Sequence, residues 1–202
     1  VAAYGALVEH LTPDYVRSVA TRVRRRCGSG RLPVEQHAYF DIVFFLDVVL
    51  ATHISDFRLE VKEDSEIPEY QAYTEQGGSH LIVVAESVMK SARRGDGDAR
   101  YTLAHELGHF FLHQNLRLAR YQTGDLPEDR SSEGQADLFA LELLAPIDWV
   151  EASDTPETIE DRFQLDARNA TIRYNQLKQE GVIKIAWRAK PQQLGMELKV
   201  IE

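Results

Sequence analysis

The run His105-Glu106-Leu107-Gly108-His109 constrains this chain more than any other stretch. Two imidazoles four residues apart share a face only if the segment is helical, and from one face both can reach a single Zn²⁺. Glu106 is then the neighbouring base. Tyr101, Thr102, Leu103 and Ala104 before the motif and Phe110, Phe111 and Leu112 after it carry no charge, as a dry site requires. A helix is expected from Ala99 to about Gln114, entered through the glycine-rich turn Arg93 to Asp98. Gly108 costs a helix interior roughly 1 kcal/mol against alanine, which points to close approach by another backbone, such as the sheet. The competing explanation, two surface histidines and a glutamate juxtaposed by chance, weakens if a third ligand exists.

His113 continues the same stripe. It lies roughly 12 Å along a straight helix from His105, too far for one ion to meet both, so it is expected at the rim of a site or in packing. A metzincin pattern would place histidine where Asn115 stands and glycine where Leu112 stands, and is excluded. Downstream, Glu133 and Asp137 are four residues apart on the next expected helix, Ser132 to about Ala145, which Pro146 closes. Glu133 would complete a two-histidine, one-carboxylate centre, and Asp137 would accept a hydrogen bond from the far nitrogen of a liganding imidazole. Ser132 and Gln135 have capping-box spacing, which would put Glu133 in a first turn where a carboxylate is favoured with or without a metal. Tyr101, His113 and Tyr121 could line the rim, and the sequence offers no choice among them for stabilising an oxyanion.

Around this motif the chain reads as α+β. Thr12-Pro13-Asp14 starts a helix with Val16, Val19, Ala20 and Val23 on one face, ended by Gly28 and Gly30. A second helix is expected from Pro33 to about Ala51. Three β-rich runs follow, Phe57 to Val61, Tyr70 to Thr74 and Leu81 to Val84, the last two joined through Gly77-Gly78 like a hairpin. The acidic stretch Glu60 to Glu69 reads as a solvated loop. From Thr155 onward come helices near Pro156 to Phe163 and Arg168 to Glu180, with Gly181 as a stop, then β-like runs Val182 to Trp187 and Met196 to Ile201. The expected organisation is therefore N-terminal helices and a core with a sheet of about three strands over 1–146. A small helix-turn-helix-like or winged-helix-like unit would follow over 147–202.

Charge and cysteine usage narrow the function classes. With 23 Lys+Arg against 32 Asp+Glu the net charge is −9, which disfavours attraction of the whole chain to nucleic acid or anionic lipid. The one strong basic patch, Arg22, Arg24, Arg25, Arg26 and Arg31, is either a solvated helix end or a contact for DNA or an acidic partner. Residues 147–202 hold 8 Lys+Arg and 10 Asp+Glu, a net of −2, so exposed Arg168, Asn169 and Arg173 argue less for DNA binding than for a module that docks a protein or closes the site. The apolar run Ile42 to Ala51 is broken by Asp47 and is too short for a membrane span. A lone cysteine, Cys27, suits a reducing compartment, and with no charged-then-apolar leader at the start the expectation is the cytoplasm.

Thr102 to His109, taken with Ser132 to Ala140 and Leu141 to Pro146, resembles the ImmA/IrrE metallopeptidases over roughly Tyr70 to Pro146, and Ile159 to Leu177 is similar to the helix-turn-helix-like tail of that family. The resemblance implies a zincin-like metallopeptidase core in which His105, His109 and Glu133 bind one Zn²⁺ per chain and Glu106 activates the water. Glu106 would take the water's proton as the carbonyl is attacked and return it to the leaving amine. An extended substrate would pair with an exposed sheet edge, for which Leu81 to Val84 is the expected strand. The family's second segment is Glu-x-Glu-Ala-Asn, whereas here its second glutamate and its asparagine are Gln135 and Asp137. Glutamine is a poor zinc ligand, which favours Glu133. Members of the family resemble one another in cleaving helix-turn-helix repressors, releasing mobile-element, stress-response or phage-defence genes. The alternative is a DNA- or partner-binding regulator whose metal site is a sensor or structural element, against which the retained Glu106 speaks.

Overall fold

The computed structural model describes residues 6–27, 38–75, 77, 79–113 and 127–184. Tyr121, Arg31, the Pro33 helix start and most of the two C-terminal β-like runs lie outside these residues. The described part of the first run, 182–184, is not a strand.

Helix α1 (Pro13–Cys27) buries Val16, Val19, Ala20 and Val23 as their spacing requires, and ends on Arg24, Arg25 and Arg26. Arg24 is not part of a solvated patch. It is buried, donates to the Leu143 and Ala38 carbonyls at 2.6 Å each, and stacks over Trp149 with its guanidinium carbon 4.4 Å from the ring centre. Arg22, Arg25 and Arg26 remain exposed. Burial pushes the Cys27 thiol up to about 11.

Helix α2 (residues 42–53) starts at Ile42, where the Asp41 carboxylate caps the Phe44 N–H. Residues 38–41 are not helical, so the expected start at Pro33 is not met within the described chain; Phe40 instead enters the core from the segment before the cap. A π-helical turn, Phe45–Leu50, sits between α-helical Ile42–Phe44 and Ala51–His53. This turn buries Phe45, Leu46, Val49 and Leu50, while Asp47 and Val48 face solvent.

The sheet holds β1 (Arg58–Lys62), β2 (Ala72–Thr74) and β3 (Leu81–Ala85) in the order β1-β3-β2, with β1 parallel and β2 antiparallel to β3. The expected hairpin between β2 and β3 is present. Every residue of β3 is buried, because helices cover one face and Ile67, Tyr73 and Val88 cover the other. Helix α3 (Glu86–Arg93) follows directly, an element the sequence reading leaves unassigned; it buries Met89 and Ala92 and packs Val88 against the sheet.

Helix α4 (Gly97–Leu112) begins at Asp96, whose carboxylate accepts the Ala99 N–H at 2.9 Å. Helix α5 (Ser132–Leu144) is capped by Ser131 rather than through the expected Ser132–Gln135 box. The Ser132 hydroxyl instead accepts the Ala6 N–H at 3.0 Å, tying an N-terminal strap to the start of α5. Leu7 bridges Ser131, and Val8 N–H donates to the Arg130 carbonyl. Helix α6 (Pro156–Phe163) carries the Thr155–Thr158 capping box, and Asp166 caps α7 (Ala167–Gln179). Among the described residues no helix is long and apolar enough to cross a membrane.

Ile159, Phe163, Leu165, Ala170 and Leu177 of the C-terminal helices belong to the same apolar cluster as α1, α4 and α5. Two residues expected on an exposed recognition face are buried there. Arg173 is 0% exposed, donates to the Ala145 carbonyl and pairs with Glu142 at 2.8 Å, and Asn169 folds back onto the Asp166 carboxylate. Only Arg168 of the three is exposed. Glu142 also meets Arg17 of α1 at 2.8 Å, so one buried carboxylate joins α1, α5 and α7. Arg173→Met is therefore expected to destabilise the fold by about 3 kcal/mol, the low end for removing one partner of a buried pair because Arg17 remains. That corresponds to a thermal midpoint about 6–12 °C lower. An unchanged midpoint would show that packing alone seats α7.

Candidate metal centre

Helices α4 and α5 cross with almost no gap. A Cβ on Gly108 would lie 2.8 Å from the Ala136 Cα and 3.0 Å from its carbonyl oxygen, so the glycine is required by backbone contact. The neighbour is α5 and not the expected sheet. Ala136 stands between Glu133 and Asp137, so this crossing lays their shared face across the His105–His109 face of α4. From beneath, buried Arg100 ties α4 to the Phe163, Gln164 and Phe40 carbonyls.

The predicted ligands meet. One ligand atom from each of His105, His109 and Glu133 lies within 4.8 Å of the others. The two histidine Nε2 atoms are 3.0 Å apart, His105 Nε2 is 3.2 Å from Glu133 Oε2, and His109 Nε2 is 3.5 Å from Glu133 Oε1. The ends that face away are engaged: His105 Nδ1 donates to Asp137 Oδ1 at 2.8 Å, and His109 Nδ1 lies 3.1 Å from His113 Nδ1. Asp137 thus stands where the sequence reading expects it, behind a ligand imidazole.

Electrostatics match this crowding. Burial lowers the His105 pKa, but its hydrogen bonds to Asp137 and Glu133 outweigh that and push it up to about 10. Burial raises the Glu133 carboxyl, and the two histidines beside it, His105 first and then His109, overcome that, holding it well below the usual carboxylate range. Two imidazoles and a carboxylate aimed at one point form the donor set of a closed-in divalent site, and in the metal-free chain a proton on His105 takes the cation's place. The residues fit a Zn²⁺-type ion.

Glu106 follows His105 on α4, is 8% exposed, and lies near enough for its charge to act on the His105 imidazole. The Thr74 hydroxyl at the end of β2 lies 2.8 Å from Glu106 Oε2 and 3.0 Å from its carbonyl oxygen, holding the carboxylate in place. Sequence reasoning misses Thr74, since nothing local marks a threonine at the end of a three-residue strand. The Tyr101 hydroxyl donates to Asp137 Oδ1 at 2.8 Å, and burial followed by the Asp137 charge raises its pKa above the usual phenol value. His113 is buried at the C-terminus of α4, 2% exposed, so it occupies the packing position and not the rim. Burial pushes it down to about 4. Gln135, judged a poor ligand, meets His113 Nε2 through its Oε1 at 2.9 Å.

The expected substrate edge is misplaced: β3 is the central strand, paired on both sides. The strand beside the site with an open side is β2. Gln71 and Glu75 bond to β3 through Ala85 N–H and the Leu81 carbonyl, so the alternate residues Ala72 and Thr74 turn their backbone groups outward. Among the described residues no strand pairs with that side.

No curated protein and no solved structure significantly matches the chain. The family match runs from Tyr70, as the resemblance implies, but continues beyond Pro146 through α6 into the first residues of α7. Residues 70–168, which hold both helices of the candidate centre, match the family model for Peptidase M78, the IrrE N-terminal-like domain, so this part of the chain is a domain of the ImmA/IrrE family, whose members are typically metal-dependent peptidases.

Proposed function

We propose that the chain is a zinc-dependent endopeptidase that cleaves a helix-turn-helix repressor and so releases mobile-element, stress-response or phage-defence genes. The observation that carries the peptidase reading is the convergence of His105, His109 and Glu133 beside a buried Glu106 held by Thr74. A divalent ion held by the three ligands supplies Lewis acidity to water and to a scissile carbonyl. Glu106 accepts the proton of the attacking water and passes it to the nitrogen of the leaving amine. Thr74, 2.8 Å from Oε2, keeps the carboxylate in place for that transfer. An extended substrate adds to the outward side of β2, whose Thr74 end lies at Glu106. Residues 147–202 serve this reading as a docking or closing module, in keeping with their net charge of −2. One cysteine in the whole chain favours a reducing compartment such as the cytoplasm, where such repressors act.

The test is incubation of the zinc-loaded chain with purified helix-turn-helix repressors, starting with any found in a neighbouring reading frame, with products read by mass spectrometry. The expected result is one or a few discrete cuts, stopped by 1,10-phenanthroline and restored by added Zn²⁺. Repressors all left intact under these conditions overturn the substrate assignment, and cleavage indifferent to the chelator overturns the metal.

A further inference from the structure

The two histidines of the centre are oriented by different devices. Behind His105 stands a carboxylate, Asp137. Behind His109 stands His113, and behind His113 the side-chain amide of Gln135. An imidazole can donate or accept at either nitrogen, so a histidine in that place would settle nothing unless its own tautomer were fixed from further away.

Gln135 supplies that fixed point. Its Nε2 lies 2.8 Å from the Glu9 carbonyl oxygen and 2.8 Å from the Asp129 carbonyl oxygen. Both are acceptors only, so the NH₂ end must face them and Oε1 must face the opposite way. Turning the amide over would lose two hydrogen bonds and set three oxygens against one another. Oε1 lies 2.9 Å from His113 Nε2, which must therefore carry the N–H. A neutral imidazole has one N–H, so His113 Nδ1 is a bare lone pair. It faces His109 Nδ1 at 3.1 Å, which must then be the donor, and His109 Nε2 is left bare toward His105 and Glu133. A doubly protonated His113 would reverse the last step. It would also bury a cation whose two hydrogen-bond partners are an amide oxygen and an imidazole nitrogen, with no carboxylate between them.

We propose that Gln135 and His113 are positioning residues that fix the tautomer of His109 through a one-way chain of donors, from His109 Nδ1–H to His113 and from His113 Nε2–H to Gln135. The chain ends on backbone carbonyls of the N-terminal strap and of the turn before α5, so both segments help to hold the metal-binding lone pair. This rests on the metal reading above. It also explains why glutamine stands at position 135: its amide carries the acceptor that His113 needs and the donors that the two carbonyls need.

Two measurements on the full chain test the relay. With the histidine rings labelled with ¹⁵N, long-range ¹H–¹⁵N spectra of the zinc-loaded wild type should show His113 protonated at Nε2 and bare at Nδ1. The opposite tautomer, or protonation at both nitrogens, overturns the relay. In competition with a chromophoric chelator, His113→Leu and Gln135→Met should each weaken Zn²⁺ binding about 10- to 100-fold, the usual cost of losing a partner behind a ligand. The Gln135→Met variant, which keeps the side-chain length, should also show His113 as a mixture of tautomers. Wild-type affinity in both variants overturns the relay and leaves the metal centre standing. A wild type that binds no Zn²⁺ overturns the metal reading itself, and with it any role for the relay.

Discussion

Glu106→Gln should lower peptide hydrolysis by about three orders of magnitude or more while one zinc per chain is retained. The side chain keeps its length, and its amide oxygen can still accept from the Thr74 hydroxyl, so the buried position beside β2 is preserved. What is lost is a group that can take a proton and give it back, and a positioned acid–base contributes about 10²–10⁴ in rate. The upper part of that range is expected because Glu106 serves twice in one turnover, first toward water and then toward the leaving nitrogen. Zinc should stay because the three converging ligand atoms belong to His105, His109 and Glu133. Elemental analysis and turnover on the same preparation separate the possibilities. Undiminished turnover removes Glu106 from the mechanism, and loss of zinc makes it a ligand.

The site was legible in the sequence to the extent that its parts are local. His105 and His109 share a face because a helix repeats every 3.6 residues, and Glu133 and Asp137 do so for the same reason on α5. Gly108 announced a close crossing, although only the fold shows that the partner is Ala136. The parts that needed contacts between distant segments were not legible. Thr74 reaches Glu106 across 32 residues, and Gln135 finds the Glu9 carbonyl across 126. Arg173 and Asn169 read as exposed because polar residues at helical spacing normally face water, yet Glu142 and Asp166 take them inward.

Other errors had a signal that was available. Leu81-Ile82-Val83-Val84-Ala85 is an unbroken apolar run, the mark of a strand buried on both faces, and an exposed edge strand would have alternated. The three-residue β2, with Tyr73 and Thr74 only half-buried, fits an edge better. Helix α3 was harder to see, since eight residues with two buried positions give too little periodicity to separate helix from turn.

Glu133→Ala should strip the centre of zinc, with an affinity loss beyond the 10- to 100-fold that follows from losing a partner behind a ligand. The carboxylate is the one anionic member of the ligand group, and without it two neutral imidazoles hold a dication with no anionic ligand. The pH dependence follows from His105. In the metal-free chain its pKa is pushed up to about 10, so at neutral pH the imidazole is charged, and zinc can bind only by expelling that proton. Apparent zinc affinity should therefore rise with pH through the neutral range and level off as pH approaches 10, at about tenfold per pH unit for one proton released. Calorimetric titration in two buffers of different ionisation enthalpy should show close to one proton released per zinc at pH 7.5. In Glu133→Ala one of the three carboxylates that raise the His105 pKa, Asp137, Glu133 and Glu106, is gone, so the residual binding should depend less steeply on pH. Zinc held equally by the variant and the wild type would mean that another residue completes the centre. No zinc in either would make His105 and His109 structural residues and return a binding role to first place.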